Sequence, residues 1–251
     1  MLLFGNCQLQ RASFLLRHNG VECSYVANTE HVDEAFRVDA VLEAVSSAPV
    51  VIAQPIFNQS SPLFHESISR LAKEVVYVPY VYIDGLFSLD ASDIGSAHML
   101  GADCLSNYVD GPFGALIEDF LKGRIDFQNQ VRLDRSLAEL QRREKAVDAI
   151  EISDVIAENW RRRPLMLSHN HPEKWLFGIM VERLLAFLGH PYRPYASLPH
   201  YQRVDYMFSK GEAVQSPYDV DRLSLNYESD DQWWTIGNRL LTRFWDRNAR
   251  E

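Results

Sequence analysis

Four consecutive residues near the N-terminus, Gly5-Asn6-Cys7-Gln8, combine a flexible turn residue, a thiol and two side-chain amides. They follow the short apolar run Leu2–Phe4, which predicts a strand, and they precede a stretch with helical periodicity. At the start of a helix, backbone N–H groups stabilise a thiolate and lower the pKa of the cysteine. The same N–H groups hold an oxyanion when a sulfur or hydroxyl attacks a carbonyl. Cys7 is therefore a candidate nucleophile, and Asn6 and Gln8 are amides that could orient a carbonyl or a sugar hydroxyl.

The same tetrapeptide also fits a purely structural role. Free cysteines are commonly buried and unreactive, and Gly5 and Asn6 are ordinary turn residues. The other cysteines are Cys23 and Cys104, and no pair has the Cys-x-x-Cys spacing of a structural zinc site. An odd, sparse set of cysteines is typical of reduced thiols in a cytosolic protein. Both interpretations of Cys7, nucleophile and buried structural thiol, remain open on spacing alone.

A second candidate group is His169-Asn170-His171-Pro172, which follows the apolar segment Leu165–Leu167 and precedes a long helical pattern. A histidine there could deprotonate a thiol or hydroxyl, because its unperturbed pKa is about 6.5. The alternative is that Asn170 caps the helix, Pro172 begins it and both histidines are solvated. Two histidines two residues apart also suit a metal, but no acidic or cysteine partner has a suitable spacing, so we predict no metal site.

Polar residues follow two further apolar runs. Gln54 ends the β-branched run Pro49–Gln54 and Asn58 comes shortly after it, so both are candidate pocket amides, with a polar turn as the alternative. Asp84 follows the run Val75–Val78 and could orient a histidine or lie in a solvated loop. No Gly-x-Ser-x-Gly elbow, P-loop or Gly-x-Gly-x-x-Gly occurs. The usual signatures of serine hydrolases, NTPases and dinucleotide-binding proteins are therefore absent.

The elements that must position these residues alternate between strands and helices over the first eighty residues. Strands are predicted at Leu2–Phe4, Cys23–Ala27, Pro49–Gln54 and Val75–Val78; helices are predicted from Leu9 to a stop at Asn19-Gly20, over Val32–Val45, and from a start at Ser61-Pro62. Such alternation with short connections predicts an α/β fold with a parallel, doubly wound sheet. The carboxyl ends of its strands share one edge, where ligands bind. Cys7 and Gln54 are expected at that edge, and so is the histidine loop, because Leu165–Leu167 resembles a further strand.

The rest of the chain is predicted to be largely helical. The predicted helices are Phe113–Leu121, Arg135–Ile150, Ser153–Arg163, a long helix that stops at Gly189, and Trp233–Trp245. Residues from about 190 to 230 give no assignment. We predict a single domain, 1–251, in which a sheet portion, 1–110, is packed against a mainly helical portion, 111–251.

Composition narrows the function classes. The 251 residues include 25 Lys and Arg against 34 Asp and Glu, a net charge of −9 that repels polyphosphate backbones. We therefore expect no nucleic-acid partner, whereas an anionic small molecule needs only two or three cations and a helix end. The N-terminus lacks the positive region of a signal peptide, and no window reaches the roughly 20 apolar residues of a membrane span. We expect a cytoplasmic protein without an integral membrane segment.

Taken together, the motifs resemble the WcbI-like family of polysaccharide-biosynthesis proteins, which is marked by Gly-Asn-Cys-Gln after a first strand. The landmarks run in order through most of the chain: Gly5-Asn6-Cys7-Gln8, the strand ending in Gln54, the strand closing at Pro79 with Gly85 beyond it, the helix from Ser153, and Asn170-His171-Pro172 before the helix ending in Leu188-Gly189. The final sixty residues carry no matching landmark.

The resemblance implies a cytoplasmic O-acetyltransferase that binds coenzyme A and acetylates a capsular or exopolysaccharide sugar. Its partners would be acetyl-CoA, as a substrate, and a carbohydrate acceptor; the oligomeric state is not predicted. Cys7 carries over as the catalytic residue and His171 as the base or acid. The substrate-binding or CoA-binding residues would be Gly5, Asn6, Gln8, Gln54, Asn58, His169 and Asn170.

The layout is also similar to SGNH-type hydrolases, in which a nucleophile follows the first strand and a late loop supplies a histidine. Cys7 would replace the serine, but the usual Asp before the histidine is missing, since positions 167–169 are Leu-Ser-His. We therefore expect an SGNH-like sheet with a Cys–His dyad, in which either His169 or His171 acts. Transfer through acetyl-Cys7 and direct transfer fit equally well. The alternatives are an SGNH-like esterase or thioesterase, and a non-catalytic nucleotide-binding or sugar-binding protein.

Overall fold

The computed structural model describes residues 1–28, 37–91, 99–194, 212–229 and 231–248. The chain forms two compact units, and each is assembled from three separate stretches of sequence. Unit 1 consists of Met1–Tyr80, Leu140–Asp154 and Phe177–Met207, and unit 2 consists of Val81–Glu139, Val155–Leu176 and Phe208–Glu251.

Unit 1 contains the predicted parallel sheet. In chain order its first elements are β1 (Leu2–Gly5), α1 (Cys7–His18), β2 (Ser24–Ala27), α2 (Val38–Ser47), β3 (Val51–Ala53), α3 (His65–Leu71) and β4 (Val75–Tyr77). The strands pair in parallel in the order β2-β1-β3-β4. The chain leaves β1 toward β2 on one side and leaves the adjacent strand β3 toward β4 on the other side, which is the doubly wound arrangement. The α/β prediction is confirmed.

The two central strands, β1 and β3, are buried because they are apolar on both faces, as is usual for the central strands of a parallel sheet. All three residues of β3 are buried, and so are all four residues of β1. A core cluster on this sheet combines strand residues with α2 and α3. Its buried members are Leu2, Phe4, Val41, Val45, Val51, Ala53, Leu63, Ile68, Tyr77 and Ala149.

Two helix starts in unit 1 differ from the prediction. The second helix begins at Val38, and the earlier part of the predicted segment, residues 32–36, lies outside the described residues. The prediction that Ser61-Pro62 opens the third helix is wrong, because that helix begins at His65. Ser61 instead closes a turn, in which its hydroxyl accepts from the N–H of Leu63 at 3.2 Å. A serine side chain can cap a short turn as readily as a helix, so the local signal was ambiguous.

Unit 2 is built mainly from helices around its own core. It contains β5 (Leu89–Ala91), a 3₁₀ helix (Ala102–Tyr108), α4 (Phe113–Leu121), β6 (Met166–Ser168), β7 (His171–Pro172), β8 (Glu212–Val214), α8 (Pro217–Leu223) and α9 (Trp233–Asn248). Strands β5 and β8 pair antiparallel, as do β6 and β7. The buried core comprises Leu89, Leu105, Leu116, Phe120, Ile125, Phe127, Val214, Ile236, Leu240 and Leu241. The sequence analysis missed β5, β7, β8, α8 and the 3₁₀ helix, each of which has seven residues or fewer.

Three further helices belong to both units, because the chain passes from one unit to the other within them. They are α5 (Asn129–Ala146), α6 (Ser153–Asn159) and α7 (Lys174–Phe187). α5 begins six residues before its predicted start, and α6 ends four residues before its predicted end. The prediction of a largely helical C-terminal part is confirmed. Within the described ranges, no helix has the length and apolar character required to cross a bilayer.

Candidate functional site

The turn between β1 and α1 carries the candidate nucleophile of unit 1. β1 ends at Gly5, α1 begins at Cys7, and Asn6 between them is the helix N-cap. The Asn6 side chain accepts a hydrogen bond from the N–H of Gln8 at 2.9 Å, which is the usual task of an N-cap asparagine. Asn6 therefore fixes the start of the helix, and its backbone conformation presents Cys7 as the first helical residue.

The side chains of two buried glutamines form hydrogen bonds at this turn. Gln54, directly after β3, accepts a hydrogen bond from the N–H of Asn6 at 2.8 Å, and its amide NH₂ donates to Gln8 Oε1 at 3.3 Å. Gln54 is 2% exposed and Gln8 is fully buried, so both amides act inside the protein. A Cβ on Gly5 would lie 2.6 Å from Gln54 Oε1, which explains why a residue without a side chain ends β1. The structure thus brings together four predicted site residues.

Cys7 occupies the positive end of α1. The thiol is half-buried, the first turn of the helix carries no acidic residue, and the last turn carries Arg17 and His18. This charge arrangement favours an anion at the N-terminus, because the helix dipole is unopposed there. Burial raises the pKa of the other two thiols, Cys23 and Cys104. Of the three cysteines, Cys7 has the setting that suits a thiolate.

The same turn lies at the point where the strand order of the sheet reverses. The connections of β1 and β3 diverge at their carboxyl ends, and open α/β sheets bind ligands in the crevice that results. A residue that the sequence analysis missed, Asn28, follows β2 at this edge and donates its N–H to the carbonyl of Gly5 at 3.0 Å. Its buried Oδ1 accepts no hydrogen bond from the part of the chain that is described. The available signal was its place as the first polar residue after a predicted strand.

A recess opens beyond the ends of β3 and β4, also within unit 1. Its lining residues are Pro55, Phe57, Pro79, Tyr80, Leu140, Arg143, Glu144 and Ala149. The guanidinium carbons of Arg142 and Arg143 lie 5.6 and 5.8 Å from the centroid of the Phe57 ring. These are cation–π distances, so two positive charges flank one aromatic face. The recess therefore lies beside an aromatic ring and two positive charges.

Asn58 lies apart from this recess. The residue is exposed, and its side chain accepts from the N–H of Ser60 at 3.1 Å. Its carbonyl accepts from the N–H of Ser61 at 3.0 Å, which completes a polar turn. The structure therefore gives Asn58 the turn role that was the alternative in the sequence analysis.

The candidate histidines lie in unit 2, on a hairpin rather than after a strand of the parallel sheet. Strands β6 and β7 are joined by the two residues His169 and Asn170, so Ser168 and His171 are directly opposite each other. Ser168 Oγ lies 2.6 Å from Nδ1 of His171 and 3.1 Å from Oδ1 of Asn170. The expectation that this loop follows a strand of the four-stranded sheet is wrong, because β6 pairs with β7 in a separate two-stranded sheet.

Asn170 and Pro172 do not start α7, contrary to the structural alternative in the sequence analysis. Pro172 belongs to β7, and the helix begins at Lys174. The Glu173 carboxylate accepts from the N–H of Trp175 at 2.7 Å and so covers the first turn. Asn170 is thereby left to the hairpin, where it contacts Ser168.

His169 has a carboxylate partner that the sequence analysis did not find. Asp90 accepts a hydrogen bond from the backbone N–H of His169 at 2.5 Å, and its other oxygen lies 3.0 Å from the ring Nδ1. The ring contact has the distance of an ion pair without the alignment of a hydrogen bond. Burial raises the pKa of Asp90, while the contacts with His169 oppose that rise. The edge of the His169 ring faces Tyr82, with centroids 4.9 Å apart.

Asp84, for which the sequence left open a histidine partner or a solvated loop, pairs with an arginine. Its two oxygens contact the guanidinium of Arg132, one of them at 3.1 Å. Of the two alternatives for Asp84, the structure therefore favours neither, because Asp84 pairs with a cation on α5. The signal for Asp90 was its position as a single charge within the apolar run Leu86–Ala91. Among the residues described, no three His, Cys, Asp or Glu side chains gather as metal ligands.

Comparison with known proteins supports the motif analysis. Residues 1–193 match the family model described as "Polysaccharide biosynthesis enzyme WcbI". A solved structure of WcbI, described as a novel polysaccharide biosynthesis enzyme in its native form without a disulfide bond between coenzyme A and a cysteine, is similar, with a TM-score of 0.63. The two sequences are 17% identical, and the match covers 100% of this chain and 94% of that one. This likeness shows the fold. No curated protein matches the chain.

Proposed function

The chain belongs to the WcbI family of polysaccharide biosynthesis enzymes, and on that premise we propose that it is a CoA-binding O-acetyltransferase. Its acceptor would be a polysaccharide or the sugar precursor of one, and it would work in the cytoplasm. The observation that carries the proposal is the position of Cys7 at the positive end of α1, on a turn fixed by Gln54. The solved WcbI protein is itself described in terms of coenzyme A and a cysteine, which supports the same pairing here.

The recess around Phe57 supports coenzyme A as the ligand of unit 1. Coenzyme A ends in an adenine ring and carries phosphates, and Phe57 with Arg142 and Arg143 matches both features. The chain has a net charge of −9, so a local pair of arginines is the kind of feature that attracts an anion. A shared edge of the sheet serves both ends of the ligand, since Gln54 directly precedes the segment that lines the recess. We assign the nucleotide part to this recess.

In the proposed reaction, the Cys7 thiolate attacks the thioester carbonyl carbon of acetyl-CoA. A carbon–sulfur bond forms to Cys7, the bond to the CoA sulfur breaks, and coenzyme A leaves as a thiolate that takes up a proton. N–H groups at the start of α1 stabilise the oxyanion in between. The acetyl group then passes to a sugar hydroxyl, whose proton His171 accepts, and the Cys7 thiolate is released.

Thermal melting with and without ligand tests the CoA site. A ligand that binds only the folded state stabilises it by about 2.7 kcal/mol at a hundredfold excess over Kd. We expect coenzyme A and acetyl-CoA to raise the melting temperature of the wild type and of Cys7→Ala alike, with Cys104→Ala as the matched control. No shift with either compound at millimolar concentration would remove the acetyltransferase proposal.

Mass spectrometry of the intact chain then tests the covalent step. Incubation with acetyl-CoA and no acceptor should add one acetyl group to the wild type and to Cys104→Ala, but none to Cys7→Ala. A chain that binds acetyl-CoA without becoming acetylated would indicate direct transfer to the sugar. If acetate is released to water faster than any sugar is acetylated, the protein is an esterase or thioesterase instead.

A further inference from the structure

Ser168 is the buried polar residue of the β6–β7 hairpin to which the proposed reaction gives no task. We propose that Ser168 is a positioning residue that holds the His171 ring in one tautomer, in the place that an aspartate has in a Ser-His-Asp triad. The contribution of Ser168 to catalysis rests on the proposed function, whereas its hydrogen bond and the tautomer of His171 can be tested without any substrate.

The geometry of the hairpin brings the two side chains together. Strands β6 and β7 are joined by two residues, and in an antiparallel pair the side chains of directly opposed residues lie on the same face. A spacing of three residues in sequence therefore becomes a cross-strand contact of 2.6 Å between Ser168 Oγ and His171 Nδ1. Ser168 is fully buried while His171 is half-buried, so the serine supports the ring from the protein side. In SGNH-type hydrolases the aspartate lies two or three residues before the histidine, and Ser168 lies three residues before His171.

Counting protons assigns the tautomer. A serine hydroxyl has one hydrogen, and Ser168 Oγ contacts both the carbonyl oxygen of Asn170, at 3.1 Å, and Nδ1 of His171. The Asn170 oxygen can only accept, so it receives the Ser168 hydrogen. His171 must then donate from Nδ1–H to the Ser168 oxygen for both contacts to be hydrogen bonds. The proton on Nδ1 leaves Nε2 with its lone pair, which is the form that a general base needs.

A neutral partner suits the chemistry of a thiol nucleophile. In a serine triad the aspartate stabilises the imidazolium that forms when a weakly acidic hydroxyl loses its proton. A cysteine, with an ordinary pKa of about 8.5, gives up its proton far more easily. Cysteine enzymes of the Cys-His-Asn type also use a neutral group in third place. If Cys7 is the nucleophile, the histidine therefore needs no charged partner, and a neutral serine at position 168 is sufficient.

The carboxylate of this region is engaged by the other histidine. Asp90 contacts both the backbone N–H and the ring of His169, and the carbonyl of His169 accepts from the N–H of Ile83 at 2.7 Å. His169 is only 8% exposed, and these contacts tie the hairpin to the strand segment around Asp90. The two histidines thereby differ in role: His169 anchors the hairpin, and His171 is held by Ser168 through Nδ1.

Nitrogen NMR on the full chain, labelled with ¹⁵N-histidine, tests this assignment directly. The long-range ¹H–¹⁵N spectrum distinguishes Nδ1–H from Nε2–H rings, and His171→Gln identifies the signal of His171 among the 8 histidines. We expect the Nδ1–H form in the wild type, a shift toward Nε2–H in Ser168→Ala, and the wild-type spectrum in Ser168→Thr. The wild-type spectrum alone decides if a variant fails to fold, because an Nε2–H ring at position 171 would overturn the proposal.

Kinetics separate this inference from the proposed function. If the chain transfers acetyl groups, Ser168→Ala should lower kcat by about 100-fold, the effect of a misplaced catalytic group, and leave the KM for acetyl-CoA unchanged. Ser168→Thr should restore most of the rate, and the exposed serine of the same unit, in Ser106→Ala, serves as the control. If the His171 ring has its proton on Nδ1 but the protein transfers no acetyl group, the positioning role remains supported and the proposed function is refuted. Full activity of Ser168→Ala would refute the positioning role and leave the proposed function intact.

Discussion

Replacing Gln54 by methionine is the most direct test of how the nucleophile turn is held. Methionine has nearly the same length and volume, so packing is preserved while both polar atoms are lost. The N–H of Asn6 and the Oε1 of Gln8 would each lose their contact with Gln54. A buried group left without a partner costs about 1–3 kcal/mol. Because Asn6 is half-buried and the bond to Gln8 is long, we expect Gln54→Met to lower the free energy of unfolding by about 2–3 kcal/mol.

The distribution of tryptophans makes the assay specific. All five tryptophans belong to unit 2: Trp160, Trp175, Trp233, Trp234 and Trp245. Urea unfolding followed by tryptophan fluorescence therefore reports on unit 2, whereas far-ultraviolet circular dichroism reports on both units. The loss in Gln54→Met should appear in the circular dichroism transition, with the exposed residue of the same motif region, in Gln10→Met, as the control.

A double variant checks the source of the effect. In Gln8→Met/Gln54→Met the Oε1 of Gln8 is also gone, so the two substitutions should together cost about 1 kcal/mol less than the sum of the single variants. A loss below about 0.5 kcal/mol for Gln54→Met, the usual range of surface substitutions, would refute the reasoning. Strict additivity of the two substitutions would refute the link between the glutamines.

Three further substitutions or modifications test other parts of the structure. Gly5→Ala places a Cβ 2.6 Å from Gln54 Oε1 and should cost about 1–3 kcal/mol in thermal unfolding, while Gly114→Ala, which meets nothing within 4 Å, should cost nothing. Burial raises the pKa of Asp219, so the stability of the wild type relative to Asp219→Asn should fall as the pH rises from about 4 through that raised pKa. Parallel pH profiles of the two proteins would contradict this. A limiting amount of iodoacetamide should modify Cys7 before Cys23 and Cys104, because burial raises the pKa of the latter two; peptide mass spectrometry showing equal rates would contradict a thiolate at Cys7.

The sequence predicted the nucleophile turn because its signals are local. The change from an apolar strand to a helical period falls at Gly5-Asn6-Cys7, and the β-branched run before Gln54 predicts the neighbouring strand. A doubly wound sheet then requires both strand ends to lie at one edge. The contact between Gln54 and Asn6 joins residues 48 positions apart, yet topology alone brings their strands side by side.

The histidine region was harder to predict because its partners come from distant, short elements. Asp90 and His169 are 79 positions apart, and β5, which carries Asp90, has only three residues. The sequence offered Asp84 as the carboxylate, but the pairing of Asp84 with Arg132 depends on where α5 lies. Strands of two or three residues have too few positions to show a period, so β6 and β7 gave no hairpin signal. Tertiary contacts therefore determine that Asp90, and not Asp84, lies next to His169.

The way unit 1 is assembled has a consequence for its synthesis on the ribosome. The last sheet strand, β4, ends at Tyr77, but the unit also needs Ala149 in its core and the N–H of Ile150 on the carbonyl of Tyr77. It is complete only after most of α7 has been made, about a hundred residues later. At about 5–20 residues per second, the finished strands wait roughly 5–20 s before the last part of the unit is available to pack on them. Slow codons before α7 should therefore increase chaperone dependence and aggregation of the nascent chain, whereas slow codons after α7 should not.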